Sequence, residues 1–104
     1  MNPNAGDCSD WNAWHDQQPG GPATLYVTGR CTFPTAGYTV ELRPMPGHGD
    51  DRVLNLQRVV TEPTGAVPQV ITTVDVRYEE ATDTEYRSVV IHPGGIRLEL
   101  AVVS

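Results

Sequence analysis

Along most of the chain apolar and polar residues alternate one for one, the period expected of strands that bury a single face. The pattern is clearest from Ala23 to Arg43. There Leu25, Val27, Gly29 and Cys31 alternate with Tyr26, Thr28 and Arg30. After a break holding Pro34 and Gly37, Tyr38, Val40 and Leu42 take one face and Thr39, Glu41 and Arg43 the other. This reads as an antiparallel hairpin, ended by Pro44 and Pro46, each of which removes a ladder donor.

The same alternation continues downstream. A strand over about 52–60 places Leu54, Leu56 and Val60 on one face together with Arg58, so a bulge near Gln57 is expected to turn the arginine away. Glu62 to Gly65 suits a type I turn, and Pro68 delays the next strand, which makes this connection long enough to cross between sheets. A strand over 69–78 follows, then a hairpin loop over 79–84, a strand over 86–92, a tight return at Pro93 to Gly95, and a last strand with Ile96, Leu98, Leu100 and Val102 as its inner row. The expected core holds Leu25, Val27, Val40, Leu42, Leu54, Val74, Leu98 and Leu100, with Val53, Val59, Ile71, Val89 and Ile91 on the opposite face. The fold expected is all-β: an antiparallel two-sheet sandwich of about six to seven strands, immunoglobulin-like or a similar Greek key, with a small barrel as the alternative.

Residues 1–22 stand apart, and the β-sandwich domain is assigned to 23–104. The leading segment holds both tryptophans and closes on Gln17 to Pro22, a Gly/Pro-rich tether. Ser9 or Asp10 is a candidate cap for a short helical turn that would put Trp11, Trp14 and His15 on one side. Both indoles are expected to fold back over the apolar face opposite the core, because a surface is what would order so polar a segment.

Composition narrows the function classes. One domain fits the 104 residues, and seven Arg with no Lys against 13 acids give a formal charge of -6, the wrong sign for phosphate backbones or anionic lipid. Neither nucleic acid nor a membrane is an expected partner. No apolar run nears the roughly 18 residues that cross a bilayer, and without a basic, apolar leader the expected location is the cytoplasm.

Candidate chemistry is sparse. Cys8 and Cys31 are expected as free thiols; bridged, they would close a loop of about 22 residues worth roughly 3 kcal/mol. His15, His48 and His92 lack ligand-like spacing to one another or to the cysteines, and Gly47 to Asp51 lacks the regular acids of a calcium loop, so neither a metal nor another cofactor is expected. Ser88 and His92 share a strand face but lie roughly 13 Å apart, too far for a nucleophile and its base. Two features remain as weak binding candidates: Glu79, Glu80, Asp83 and Glu85 as an acidic hairpin tip, and Trp11 and Trp14, with outward Tyr26, as an aromatic platform. The expected function is a small non-catalytic binding module acting on another protein, with a carbohydrate or small-molecule domain using Trp11 and Trp14 as the alternative.

Overall fold

In a computed structural model of the chain, the described residues are 7–17, 19–45, 52–84, 86–92 and 94–103. They form eight strands and no helix: β1 (Asp7–Asp16), β2 (Thr24–Phe33), β3 (Thr39–Pro44), β4 (Val53–Thr61), β5 (Thr72–Ala81), β6 (Ser88–His92), β7 (Ile96–Glu99) and β8 (Ala101–Val103). A front sheet in the order β5-β2-β1-β8 faces a back sheet in the order β3-β4-β6-β7. The expected sandwich is thus the fold, no barrel closes, and the strands number eight rather than six or seven.

The core lies between the sheets. Ala13, Leu25, Val27, Cys31, Phe33 and Val76 come from the front, and Leu42, Leu54, Leu56, Val89 and Ile91 from the back. Of the expected core, Leu25, Val27, Leu42 and Leu54 are buried, while Val40, Val74, Leu98 and Leu100 pack against them partly covered. Val89 and Ile91 belong to the core rather than to the opposite face: β6 lies between β4 and β7 in the back sheet, so this row meets the front sheet.

Strand pairing departs from the sequence reading in ways that alternation cannot encode. The stretch from Ala23 to Arg43 is not a hairpin, because β2 lies in the front sheet and β3 in the back. The loop between them arches over the end of the sandwich. Phe33 and Tyr38 stack across it at 4.3 Å, and Gly37 turns at φ 93°. A Cβ on Gly37 would meet Pro63 at 2.6 Å. The connection from β4 to β5 crosses between sheets as expected, but so does that from β5 to β6, where a hairpin was expected. β6 instead lies parallel to β4, and β8 parallel to β1. The last strand breaks at Leu100, whose N–H donates to the Arg87 carbonyl at 3.2 Å, and its end moves to the front sheet, leaving Val102 exposed. No bulge occurs near Gln57, since the β3–β4 register runs unbroken from Thr39↔Thr61 to Pro44↔Leu56. Arg58 therefore keeps the inward phase and donates from Nη1 to Cys8 Sγ at 3.0 Å.

The largest correction concerns the leading segment. Asp7–Asp16 is neither a tail nor a helical turn but an interior strand of the front sheet, flanked by β2 and β8. Ladder pairing along ten residues replaces the few local bonds of an isolated turn, which is marginal in water. The pairing sets Cys8 directly opposite Cys31, and the two form a disulfide rather than free thiols.

The β1–β2 register shifts between Ser9 and Asn12, so that Asp10 and Trp11 together oppose Gly29. Asp10 takes φ 56°, the left-handed conformation that Asp tolerates better than most residues. This bulge reverses the phase of the strand. Cys8 faces the core before it, and Trp11, Ala13 and His15 after it. Trp11 fills the space that Gly29 leaves, since a Cβ there would lie 2.3 Å from the indole.

Two measurements check this arrangement. Thiol labelling of unfolded, unreduced protein should count no free cysteine, and reduction should lower stability by about 3 kcal/mol for a closure of 23 residues. Gly29→Val should destabilise by about 1–3 kcal/mol in denaturant unfolding, because the added atoms overlap the Trp11 ring.

Candidate functional site

The bulge also shapes the outer surface of the front sheet. Residues with outward phase fall into cross-strand rows on β1, β2 and β5: Trp14, Tyr26 and Glu79; then Asn12, Thr28 and Arg77; then Ser9, Arg30 and Asp75. Successive rows are two residues apart, roughly 7 Å. Between the second and third rows the surface sinks into a cleft of about 680 Å³ lined by Asp10, Asn12, Thr28, Arg30, Asp75 and Arg77, with Gly29, Trp11 and Val76 beneath. Gly29, Trp11 and Val76 have the inward phase, so only their backbone forms the floor, and the bulged residues of β1 are displaced from the regular pleat.

Aromatic rings adjoin the cleft at one end. Trp14 stacks on Tyr26 with centroids 5.2 Å apart and planes within 21°, and from the strand on the other side the Arg77 guanidinium carbon lies 5.5 Å from the Tyr26 centroid. Stacked rings and a cation over a ring each add attraction beyond area burial. In register Trp14 pairs with the small Ala101 on β8, and its side chain is partly exposed.

Charges around the cleft come in matched pairs. Arg30 lies 3.5 Å from Asp75, and Arg77 Nη2 lies 2.6 Å from Glu79. These exposed pairs contribute little to stability, but they hold donors and acceptors side by side. Asn12 Nδ2 donates to the Asp10 carbonyl at 3.1 Å, which ties the bulge down and leaves the amide oxygen of Asn12 facing outward.

The sequence-derived candidates separate. Trp14, Tyr26 and Glu79 form one row beside the cleft, whereas Trp11 turns inward beneath it, so the two indoles neither share a face nor cover a second apolar surface. Within the acidic tip Glu79 and Glu80 part: β5 runs on to Ala81, and strand alternation sends Glu79 out and Glu80 in. Glu80 accepts from the Tyr78 hydroxyl at 2.6 Å and the Tyr86 hydroxyl at 3.2 Å, so its carboxylate is engaged in the fold. Asp83 is exposed in the loop after β5, and Glu85 lies outside the described residues, as do His48, Asp50 and Asp51.

The histidines that are described serve the scaffold. His15 is buried and bonded at both ring nitrogens: Gln17 Nε2 donates to Nδ1 at 3.1 Å, which leaves Nε2–H to donate to the Thr82 carbonyl at 2.9 Å. His92 Nε2 donates to Asn55 Oδ1 at 3.0 Å on the neighbouring parallel strand. Among the described residues no three His, Cys, Asp or Glu side chains are grouped to hold a metal.

Asp10, Asn12, Arg30, Asp75 and Arg77 line the cleft and were not among the candidates read from the sequence. The outward phase of Arg30 on β2 and of Asp75 and Arg77 on β5 is legible from alternation, whereas that of Asp10 and Asn12 on β1 is not. The convergence of the five is not legible either, because it needs β1 beside β2 and β2 beside β5. Compared with protein-family models, curated proteins and solved structures, the chain matches none.

The tyrosine pair on Glu80 carries a pH dependence. Burial, then the Glu80 hydrogen bond and charge, push the Tyr78 hydroxyl well above the usual tyrosine range, and burial and Glu80 also raise Tyr86. A raised folded value stabilises the neutral form, so the contribution is complete below the unfolded value of about 10 and is lost as pH climbs beyond it. Ultraviolet absorbance titration should show these two phenols ionising at higher pH in the folded protein than in the unfolded chain, and Tyr78→Phe should lessen the alkaline decline in melting temperature.

Proposed function

We propose that this protein is a non-catalytic β-sandwich binding module that recognises a compact polar ligand through the outer face of its front sheet. The observation that carries this reading is the bulge at Asp10. A non-glycine residue in the left-handed region, a sheet interruption and a glycine coincide where the cleft opens, and such local departures gather at functional sites.

A concave site of this volume suits a small ligand, whereas docking a second protein calls for some 800 Å² on each partner. That favours the small-ligand reading over the protein partner that the acidic tip suggested, since Glu79 and Glu80 of that tip take opposite faces of β5 and Glu80 is engaged by two tyrosine hydroxyls. The parallel β4–β6 ladder sets the topology apart from the antiparallel sheets of immunoglobulin domains, so the plain term β-sandwich is retained. The Cys8–Cys31 bridge favours an oxidising compartment over the cytoplasm expected from sequence.

Fragment screening by protein-observed NMR tests the surface without assuming a ligand class. Hits should concentrate on the Asn12 side-chain amide, the Trp14 indole N–H and the Thr28 amide. Hits scattered over the back sheet, or none on these three groups, would defeat the assignment.

A further inference from the structure

The ligand class follows from the charge and hydrogen-bond pattern of the cleft, given that the outer face of the front sheet is the recognition surface. We infer that the cleft binds a neutral oligosaccharide, one sugar ring stacking on Trp14 and the next hydrogen-bonding to Asn12, Asp75 and the paired arginines.

Neutrality comes first. Both arginines of the cleft already have a carboxylate within salt-bridge distance, Arg30 with Asp75 and Arg77 with Glu79, and Asp10 adds a further acid. No surplus cation is left for a phosphate or sulfate, and the chain's net charge of -6 repels polyanions further. A cationic ligand would have to compete with the two guanidiniums for the same carboxylates.

Hydrogen-bond pattern comes second. Each sugar hydroxyl is at once a donor and an acceptor, and adjacent hydroxyls on a ring present both functions side by side. Arg30 beside Asp75 offers the complementary set: guanidinium N–H groups that donate and a carboxylate, 88% exposed, that accepts. Asn12 supplies both functions from one amide, and Thr28 adds a hydroxyl to the lining.

The aromatic contact comes third. Tyr26 is occupied by Trp14 and by Arg77, which holds the row rigid, while Trp14 is partly exposed and pairs with the small Ala101 on β8. A stacking platform needs a rigid mount, and an interior strand next to a disulfide provides one. The indole row and the polar row are roughly 7 Å apart, within the length of a disaccharide.

The test is an NMR titration of the intact, oxidised protein with cello-, xylo-, manno- and chito-oligosaccharides, and with a heparin oligosaccharide as the anionic comparison. At least one neutral series should shift the Trp14 indole N–H and the Asn12 amide saturably, with the heparin fragment weaker. Trp14→Ala and, as a milder surface change, Asp75→Asn should each weaken binding by about tenfold while circular dichroism is unchanged. The inference fails if no neutral series shifts these groups, if heparin binds more tightly, or if both variants bind as the parent does. If fragments still gather on the face while every oligosaccharide fails, the carbohydrate assignment falls and the recognition surface stands. If fragments miss the face as well, both fall.

Discussion

The structure depends on how β1 passes Gly29. At that point two residues of one strand must be accommodated opposite a single residue of the next, and Asp10 does this by turning to positive φ while Trp11 drops into the space where a side chain would otherwise stand. The consequences run in both directions through the sheet. Inward, the change of phase lets Cys8 and Ala13, five residues apart and so of opposite parity, both reach the core face. Outward, it lowers the sheet surface and gives the cleft its floor. The disulfide one row away holds the register against slippage, which in a sheet would exchange the buried and exposed faces of the whole strand.

Arg58 shows how tightly the two layers are linked around that bridge. It reaches from the back sheet to donate to Cys8 Sγ, although alternation along β4 places it among Leu54, Leu56 and Val60. A sulfur of a disulfide is a weak acceptor, and Nε of the same guanidinium has no hydrogen-bond partner among the described residues. The contact therefore adds little attraction, and what keeps Arg58 inward is the unbroken β3–β4 register. Glu80 and His15, at the other end of the sandwich, are better matched: Glu80 with two tyrosine hydroxyls, and His15 with a carbonyl and an amide. These satisfied groups take His15 and Glu80 out of the candidate chemistry, which leaves the outer face of the front sheet as the place where polar side chains and aromatic rings meet solvent together.

Much of this was legible in the alternation of residues. The faces of β2, β3 and β5 follow from it directly: Leu25 and Val27 in with Tyr26 and Thr28 out, Leu42 in with Glu41 out, Val76 in with Asp75 and Arg77 out. So do the all-β class and the layered architecture, because strands with one apolar face must bury it against another sheet. The Pro68 region was readable as a crossing connection for the same local reason, a segment too long and too interrupted for a hairpin.

Pairing was decided only in three dimensions. A period of two states which side of a strand is buried but is silent on its neighbours, so the arch between β2 and β3, the parallel ladders of β4 with β6 and β1 with β8, and the passage of the chain between sheets at Leu100 have no local signature. The leading segment shows this most plainly: its alternation is broken by a bulge that exists only because Gly29 lies opposite, so the residues from Cys8 to His15 read as a tail until β2 is set beside them. Sequence alone determined that Tyr26, Thr28, Arg30, Asp75 and Arg77 face outward. The order β5-β2-β1 decided that they meet Asn12 and Trp14 around one cleft, since side chains far apart in the chain share a site only when backbone hydrogen bonds place their strands side by side.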